Sequence, residues 1–170
     1  KDNNTIIFPN GATYIGKINE KRKFHGFGTF IMFDGKYVGE YKNGKRNGRG
    51  MFIYPDGGIY VGEWKEQKKH GKGFYVCAAD KCKYTGEWQN DQRHGYGKWI
   101  KDHMTYEGNF KESAFDGLGK IRYKTGFTYI GEFKNFKYHG QGILTHSDGT
   151  IQQGKFEKGR FIKWDIENFY

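Results

Sequence analysis

The chain has 170 residues, enough for one ordinary domain, and no stretch approaches the ~18 consecutive apolar residues that a membrane-spanning helix needs. Aromatic residues make up 19% of the chain, which excludes the aromatic-poor composition of disordered proteins. The net charge of +10 favours an anionic partner. The 27 glycines do not recur every third residue, so collagen is excluded and short strands with tight turns are favoured over helices.

An internal repeat accounts for nearly all of these glycines. A tyrosine recurs every 22 to 24 residues, followed two residues later by a glycine and about eleven residues later by a Gly-x-Gly sequence. Six repeats are predicted over 14–151, after an end of a preceding repeat in 1–13 and before a partial seventh repeat and capping tail in 152–170. The six repeats start at Tyr14, Tyr37, Tyr60, Tyr84, Tyr106 and Tyr129.

Each repeat has the pattern of a β-hairpin. In the copy that runs from Tyr37 to Ile59, residues 37–41 alternate between the two faces of a strand. The polar segment 42–47 suits a hairpin connection, and residues 50–54 suit the returning strand. Because one hairpin is marginal in water, several are expected to stack side by side. The predicted fold class is all-β, an elongated single-layer antiparallel β-meander of stacked hairpin repeats.

The repeat resembles the MORN (membrane occupation and recognition nexus) repeat. The fourth copy carries Tyr84–Trp88, Asn90 and His94–Gly97, which is close to the family pattern Tyr-x-Gly-Glu-Trp, Asn, His-Gly-x-Gly. The resemblance extends from residue 6 to about residue 160. The first copy departs from it with Lys17, and the fifth with Asn109, where the pattern has glutamate.

The resemblance implies a non-enzymatic scaffold. MORN arrays occur in cytoskeletal, ciliary and membrane-junction proteins, and some accompany the catalytic domain of a lipid kinase or a lysine methyltransferase. The expected role is therefore protein interaction within such an assembly, in the cytoplasm, at the cytoskeleton, a cilium or the membrane cortex. Binding of anionic phospholipid is the alternative. Nucleic acid is less favoured, and oligomerisation stays open.

A stripe of aromatic residues on one strand face is the expected partner-binding surface. Each glycine that follows a repeat tyrosine leaves room for a neighbouring ring, so rings from adjacent hairpins are expected to meet edge to face. The plainer interpretation is that these rings form the core of a thin sheet, and both can hold in a sheet of one layer. The candidate partner-binding residues are Tyr41, Tyr60, Trp64, Tyr84, Trp88, Phe110 and Phe133.

Basic residues concentrate in the connections of the first three repeats. They suit an anionic bilayer, although a solvated turn surface explains them equally well. The candidate lipid-binding or anion-binding residues are Lys42, Lys45, Arg46, Lys65, Lys68 and Lys69.

No residue pattern indicates catalysis, a cofactor or a metal site. The histidines that precede Gly-x-Gly lie about 10 Å apart in successive repeats, too far to share a zinc ion, and are expected to make hydrogen bonds at turns. The glutamate after the repeat glycine recurs at one position, which marks it as framework. Cys77 and Cys82 are expected to be free thiols, with a hairpin-closing disulfide as the alternative.

Overall fold

A computed structural model describes residues 4–164, which fold into fifteen β-strands. Strand order in the sheet follows chain order, and neighbouring strands pair antiparallel. The predicted all-β antiparallel meander is therefore confirmed. No helix in this part of the chain is long and apolar enough to cross a membrane. The strands are β1 (Asn4–Ile7), β2 (Thr13–Ile18), β3 (Phe24–Met32), β4 (Gly35–Lys42), β5 (Lys45–Ile53), β6 (Ile59–Lys65), β7 (Lys68–Cys77), β8 (Cys82–Gln89), β9 (Gln92–Lys101), β10 (Met104–Lys111), β11 (Ala114–Tyr123), β12 (Thr128–Lys134), β13 (Lys137–Thr145), β14 (Ile151–Glu157) and β15 (Arg160–Trp164).

The chain divides into two compact units, the first ending at Asp91 and the second beginning at Gln92. The first unit contains β1 to β8 and the second β9 to β15. Both repeat the same hairpin, with the motif tyrosine on the inner, buried face of its strand and the residues on either side of it pointing to the outer face. Residues 165–170, part of the predicted capping tail, lie outside the described residues.

The hairpin connections are shorter than the sequence pattern indicates. Between β4 and β5 the chain reverses over Asn43 and Gly44 alone, with φ of 52° and 87°. Two successive residues with positive φ match the twist of a two-residue hairpin, and Asn-Gly adopts this geometry readily. The predicted six-residue connection over 42–47 was therefore wrong, because residues 45–47 already belong to β5 and the polarity of this stretch reflects strand residues as well as a turn.

A β-bulge recurs where the glutamate of the motif lies. The pairing of β6 with β7 shifts register between Gly62 and Glu63, and Gly71 opposite has a φ of 58°. The Glu63 carboxylate accepts a hydrogen bond from the backbone N–H of Lys72 at 2.9 Å, which satisfies a donor that the bulge leaves free of the ladder. Glu40 accepts from the Arg49 N–H in the same way. The recurring glutamate thus holds the bulge.

The two cysteines form a disulfide that closes the hairpin of β7 and β8. Cys77 and Cys82 are directly opposite each other in the register, with their Cα atoms 5.0 Å apart, within the range that a disulfide spans. The expectation of two free thiols was wrong. The spacing in sequence did not reveal that the last ladder position of this hairpin places the two side chains face to face.

Candidate partner-binding surface

All seven aromatic residues predicted to bind a partner lie on the inner face and are buried. Tyr41, Tyr60, Trp64, Tyr84 and Trp88 belong to the first unit, and Phe110 and Phe133 to the second, and none exposes more than 6% of its surface. They form the core of each unit, as the plainer interpretation held. Partner binding by these rings stays a prediction, and a partner would first meet the side chains that surround them.

Rings of adjacent hairpins meet edge to face, as expected. In the first unit the centroids of Tyr37 and Trp64 lie 5.3 Å apart with an interplanar angle of 87°, and Tyr60 and Trp88 repeat this at 5.3 Å and 85°. In the second unit Tyr106 meets Phe133 at 5.1 Å. These T-shaped contacts connect each hairpin to the next within a unit.

In five of the repeats the ring that covers the motif glycine is the tyrosine of the same strand, not one from a neighbouring hairpin as the sequence suggested. Tyr60 lies along its own strand so that its hydroxyl donates to the Glu63 carbonyl at 2.9 Å, and a Cβ on Gly62 would lie 2.5 Å from the hydroxyl oxygen. The facing Gly73 of Gly-x-Gly is covered by the same ring, at 2.6 Å. Burial in this position raises the pKa of the Tyr60 phenol.

The residue nine or ten positions after the motif tyrosine covers the face of the tyrosine ring that points away from the sheet. This residue is either a cation or an aromatic residue. In the second and third repeats it is a cation: Arg46 lies 4.4 Å from the Trp64 ring centroid and Lys69 lies 4.8 Å from that of Trp88. In the first and fifth repeats an aromatic residue stacks on the tyrosine instead, since Phe24 lies 3.7 Å from Tyr14 and Phe115 lies 3.7 Å from Tyr106. The exchange of cation for ring at one position shows that Arg46 and Lys69 cover the aromatic core.

This placement changes the candidate lipid-binding set. Arg46 donates to the backbone carbonyl and the side-chain oxygen of Gln67, both at 3.0 Å, and the Lys69 ammonium donates to the Tyr54 hydroxyl at 3.1 Å. Partial burial lowers the pKa of Lys69. Both cations are therefore engaged on the inner face. The four remaining candidates are exposed: Lys42, Lys45, Lys65 and Lys68.

Binding to anionic vesicles stays a prediction, carried by the exposed lysines. We expect the double variant Lys45→Glu with Lys68→Glu to lose about tenfold or more in affinity for vesicles of phosphatidylserine and phosphatidylcholine, since each basic residue near such a surface contributes about 1 kcal/mol. Co-sedimentation at low and high salt measures this. The matched control is Lys134→Glu with Lys137→Glu, the same charge change at the same kind of hairpin in the sixth repeat, which should bind as the unchanged chain does. Equal binding by all three chains would contradict the prediction.

A groove lies on the inner side of the first unit, where the hairpin ends rise beside the aromatic core. Two adjoining cavities of about 330 and 230 Å³ share three lining residues, Met32, Arg46 and Gln67. We call the two cavities together the Arg46 groove. The remaining residues of the larger cavity are Asp34, Phe52, Tyr54, Trp64, Lys69 and Asp91, and those of the smaller one are Phe24, Phe30, Tyr41 and Gly44.

The Arg46 groove combines an aromatic floor with charges of both signs. Tyr41 and Trp64, which the sequence placed on the binding stripe, form part of its floor although little of either ring is exposed. The sequence reasoning missed Met32, Asp34 and Asp91. The position that carries a cation in some repeats and an aromatic residue in others was a signal for this surface in the sequence. That signal does not show how far the Arg46 side chain stands above the strand.

Metal and histidine sites add nothing to this surface. Within residues 4–164 no group of three or more His, Cys, Asp or Glu side chains is arranged to hold a metal ion. At one of the recurring histidines, His139, it is the backbone carbonyl that accepts a hydrogen bond, from the Tyr129 hydroxyl at 3.1 Å. At His139 the contact at the bulge is therefore made by the backbone and not by the imidazole.

The fold and its buried tyrosines define an array of β-hairpin repeats with an aromatic core. The MORN repeat family model matches residues 23–36, 37–59, 60–79, 84–101, 106–128 and 129–151, and the chain belongs to the MORN-repeat family. No curated protein sequence matches the chain.

Solved structures extend the comparison at the level of the fold. The TCP domain of Drosophila melanogaster SAS-4, solved in complex with a proline-rich motif of Ana2, is similar at a TM-score of 0.50 and 11% identity, over 91% of this chain and 84% of that one. The TCP10c domain of Drosophila melanogaster Sas-4 has a TM-score of 0.45 and 11% identity, over 89% and 91% of the two chains. The TCP10 domain of Danio rerio CPAP has a TM-score of 0.27 and 14% identity, over 89% and 83%.

Proposed function

We propose that this chain is a non-enzymatic protein-interaction scaffold of a cytoskeletal, ciliary or membrane-associated assembly, and that it holds an extended segment of a partner in the Arg46 groove. The observation that carries the proposal is the groove itself. Its aromatic floor and its charged walls, Arg46 and Lys69 with Asp34 and Asp91, are the few convergent groups that a binding cleft needs.

The shape and chemistry of the groove favour an extended segment over a helix. Two small cavities of about 330 and 230 Å³ adjoin at Met32, so an extended chain that passes from one to the other would place side chains in both. Proline-rich segments dock well against aromatic surfaces because their extended conformation is already formed before binding. The complex of the SAS-4 TCP domain with a proline-rich motif supports this choice of ligand, as a likeness in fold.

A peptide library tests the proposal. The probe is a phage-displayed library of short peptides from disordered protein regions, selected on the intact chain. The test variant is Met32→Lys, which places a long charged side chain where the cavities adjoin. We expect the fold to accept lysine at this position, because Lys101 is the last residue of β9 in the same way that Met32 is the last residue of β3. We expect peptides selected on the unchanged chain to bind the variant at least about tenfold more weakly, a loss of the size that a hot-spot contact carries.

The matched control is Met104→Lys, the same substitution at a methionine that does not line the groove. It should bind the selected peptides as the unchanged chain does. A selection that yields no peptide sensitive to Met32→Lys, or peptides equally sensitive to both variants, would move the partner site away from the groove.

A further inference from the structure

The outer face of the first unit carries a row of apolar residues, and within residues 4–164 no second layer of structure covers them. Val38, Met51, Val61 and Phe74 lie on the successive strands β4 to β7 and are direct cross-strand neighbours. Val61 exposes 47% of its surface and Phe74 exposes 40%. We call these four residues the outer apolar row. Two positions away along β5 and β6, Ile53 and Ile59 form a further apolar pair on the same face.

The fold does not require apolar residues at these positions. In the second unit three of the corresponding residues are charged: Lys98, Glu107 and Lys120 are cross-strand neighbours on β9, β10 and β11, whereas Ile130 and Ile143 on β12 and β13 are apolar. The Lys98 ammonium and the Glu107 carboxylate pair there at 3.7 Å. The same backbone therefore accepts charged residues on the outer face, whereas the first unit keeps apolar ones on all four strands from β4 to β7.

A row of alternating charge lies beside the outer apolar row. Glu40, Arg49, Glu63 and Lys72 occupy successive strands, in register with one another or displaced by the bulge, and all four are exposed. Glu87 of β8 continues the alternation beyond Lys72, but the segment of the row from Glu40 to Lys72 has a special property under two-fold symmetry. Read in reverse, it presents the opposite sign at every step, so two copies of it are complementary to each other.

We infer that the outer face of the first unit is a self-association surface, on which two copies of this chain pack sheet against sheet. A two-fold axis parallel to the strands and midway between β5 and β6 would place Arg49 opposite Glu63 of the second copy and Glu40 opposite its Lys72. The same axis sets Val61 over Met51 of the second copy. This gives two facing sheets with an apolar interior, the arrangement of a β-sandwich.

The available area suits a homodimer of modest stability. Six strands, β3 to β8, face their counterparts across this axis, and at about 4.8 Å spacing with three outward positions on each they give a face of roughly 600 Å² per copy. The pair would bury about 1,200 Å² in total, the lower end of the range for specific interfaces. Reciprocal charges favour a second copy over an unrelated protein, whose charges would have no reason to match. The inference is independent of the Arg46 groove, which lies on the other face.

Sedimentation velocity of the full chain over a concentration series tests the inference. The test variant, Val61→Glu with Phe74→Lys, installs the residue types of Glu107 and Lys120 at a directly paired position, so the fold has a precedent for it. We expect the unchanged chain to show a monomer–dimer equilibrium and the variant to raise the dissociation constant about a hundredfold or more. Val38→Glu with Met51→Lys repeats the exchange on the neighbouring strand pair and keeps the test valid if the first variant misfolds, which circular dichroism would show.

The matched control is Ile130→Glu with Ile143→Lys, the same exchange at an apolar pair in the same repeat positions of the second unit. It should leave the dimer intact. A chain that stays monomeric at every concentration, or a dimer that persists in both first-unit variants, would overturn the inference. A dimer lost equally in the control and the test variants would overturn it as well.

Discussion

Replacing Gly62 with alanine is expected to destabilise the first unit by at least about 3 kcal/mol, because overpacking beyond what side chains can absorb reaches or exceeds that size. The new Cβ would lie 2.5 Å from the Tyr60 hydroxyl oxygen, 2.6 Å from the Gly73 Cα and 2.7 Å from the Lys72 carbonyl oxygen. Two of these three atoms are backbone of the paired strand, which cannot retreat without breaking the ladder.

The tyrosine ring cannot retreat either. Its hydroxyl is hydrogen-bonded to the Glu63 carbonyl. Its ring makes T-shaped contacts with Trp64 and Trp88, with ring centroids 5.2 and 5.3 Å apart. Urea unfolding followed by tryptophan fluorescence measures the loss. The control is Gly11→Ala, where no atom lies within 4 Å of the new Cβ and only the positive φ of 82° is strained. That variant should cost about 1 to 2 kcal/mol. Equal losses for the two variants would show that steric contact with the tyrosine is not the reason for the motif glycine.

The sequence predicts the repeat, the hairpin and the inner face because each rests on a period. The tyrosine, the glycine two residues on and the Gly-x-Gly recur in register, and the alternation of residues 37–41 determines which side chains share a face. The T-shaped contacts between neighbouring hairpins also follow from the period. Stacking hairpins in chain order brings the motif tyrosine of one repeat against the aromatic residue four positions after the tyrosine of the next.

What the sequence could not supply depends on distances across the strands. Arg46 and Lys69 look like turn residues in the sequence, but the two-residue turn places them in strands, where their cations lie over Trp64 and Trp88. The Cys77–Cys82 disulfide depends on the last ladder position of one hairpin. The Arg46 groove depends on how far side chains from several hairpins stand above the core, which no local pattern encodes.

Raising the pH above 10 is expected to unfold the chain over a narrow interval. Burial raises the pKa of Tyr37, Tyr60 and Tyr106, and it raises the pKa of Tyr129 to about 12. The tyrosines of the unfolded chain titrate near a pKa of about 10. Between these values the unfolded chain has lost protons that the folded chain still holds, so stability falls as pH rises.

The expected loss is steep because many tyrosines act together. Each buried phenol removes about 1.4 kcal/mol of stability per pH unit in this window, so Tyr37, Tyr41 and Tyr60 together remove about 4 kcal/mol per unit from the first unit alone. A typical domain has 5 to 15 kcal/mol in all. Tyrosinate absorbance and circular dichroism should therefore change together, as one cooperative step between pH 10 and about 12.

Two variants separate this mechanism from general alkaline damage. Tyr60→Phe keeps the ring over Gly62 and removes one titrating hydroxyl, so its transition should be less steep by about one proton, after allowance for the loss of about 1 kcal/mol from the missing hydrogen bond. Tyr123→Phe removes a tyrosine that exposes 36% of its surface and should leave the transition unchanged. Tyrosinate that forms gradually around pH 10 while the circular dichroism signal stays constant would contradict the prediction. It would mean that the motif tyrosines reach solvent in the folded chain, and that the core they form with Trp64 and Trp88 is open to water.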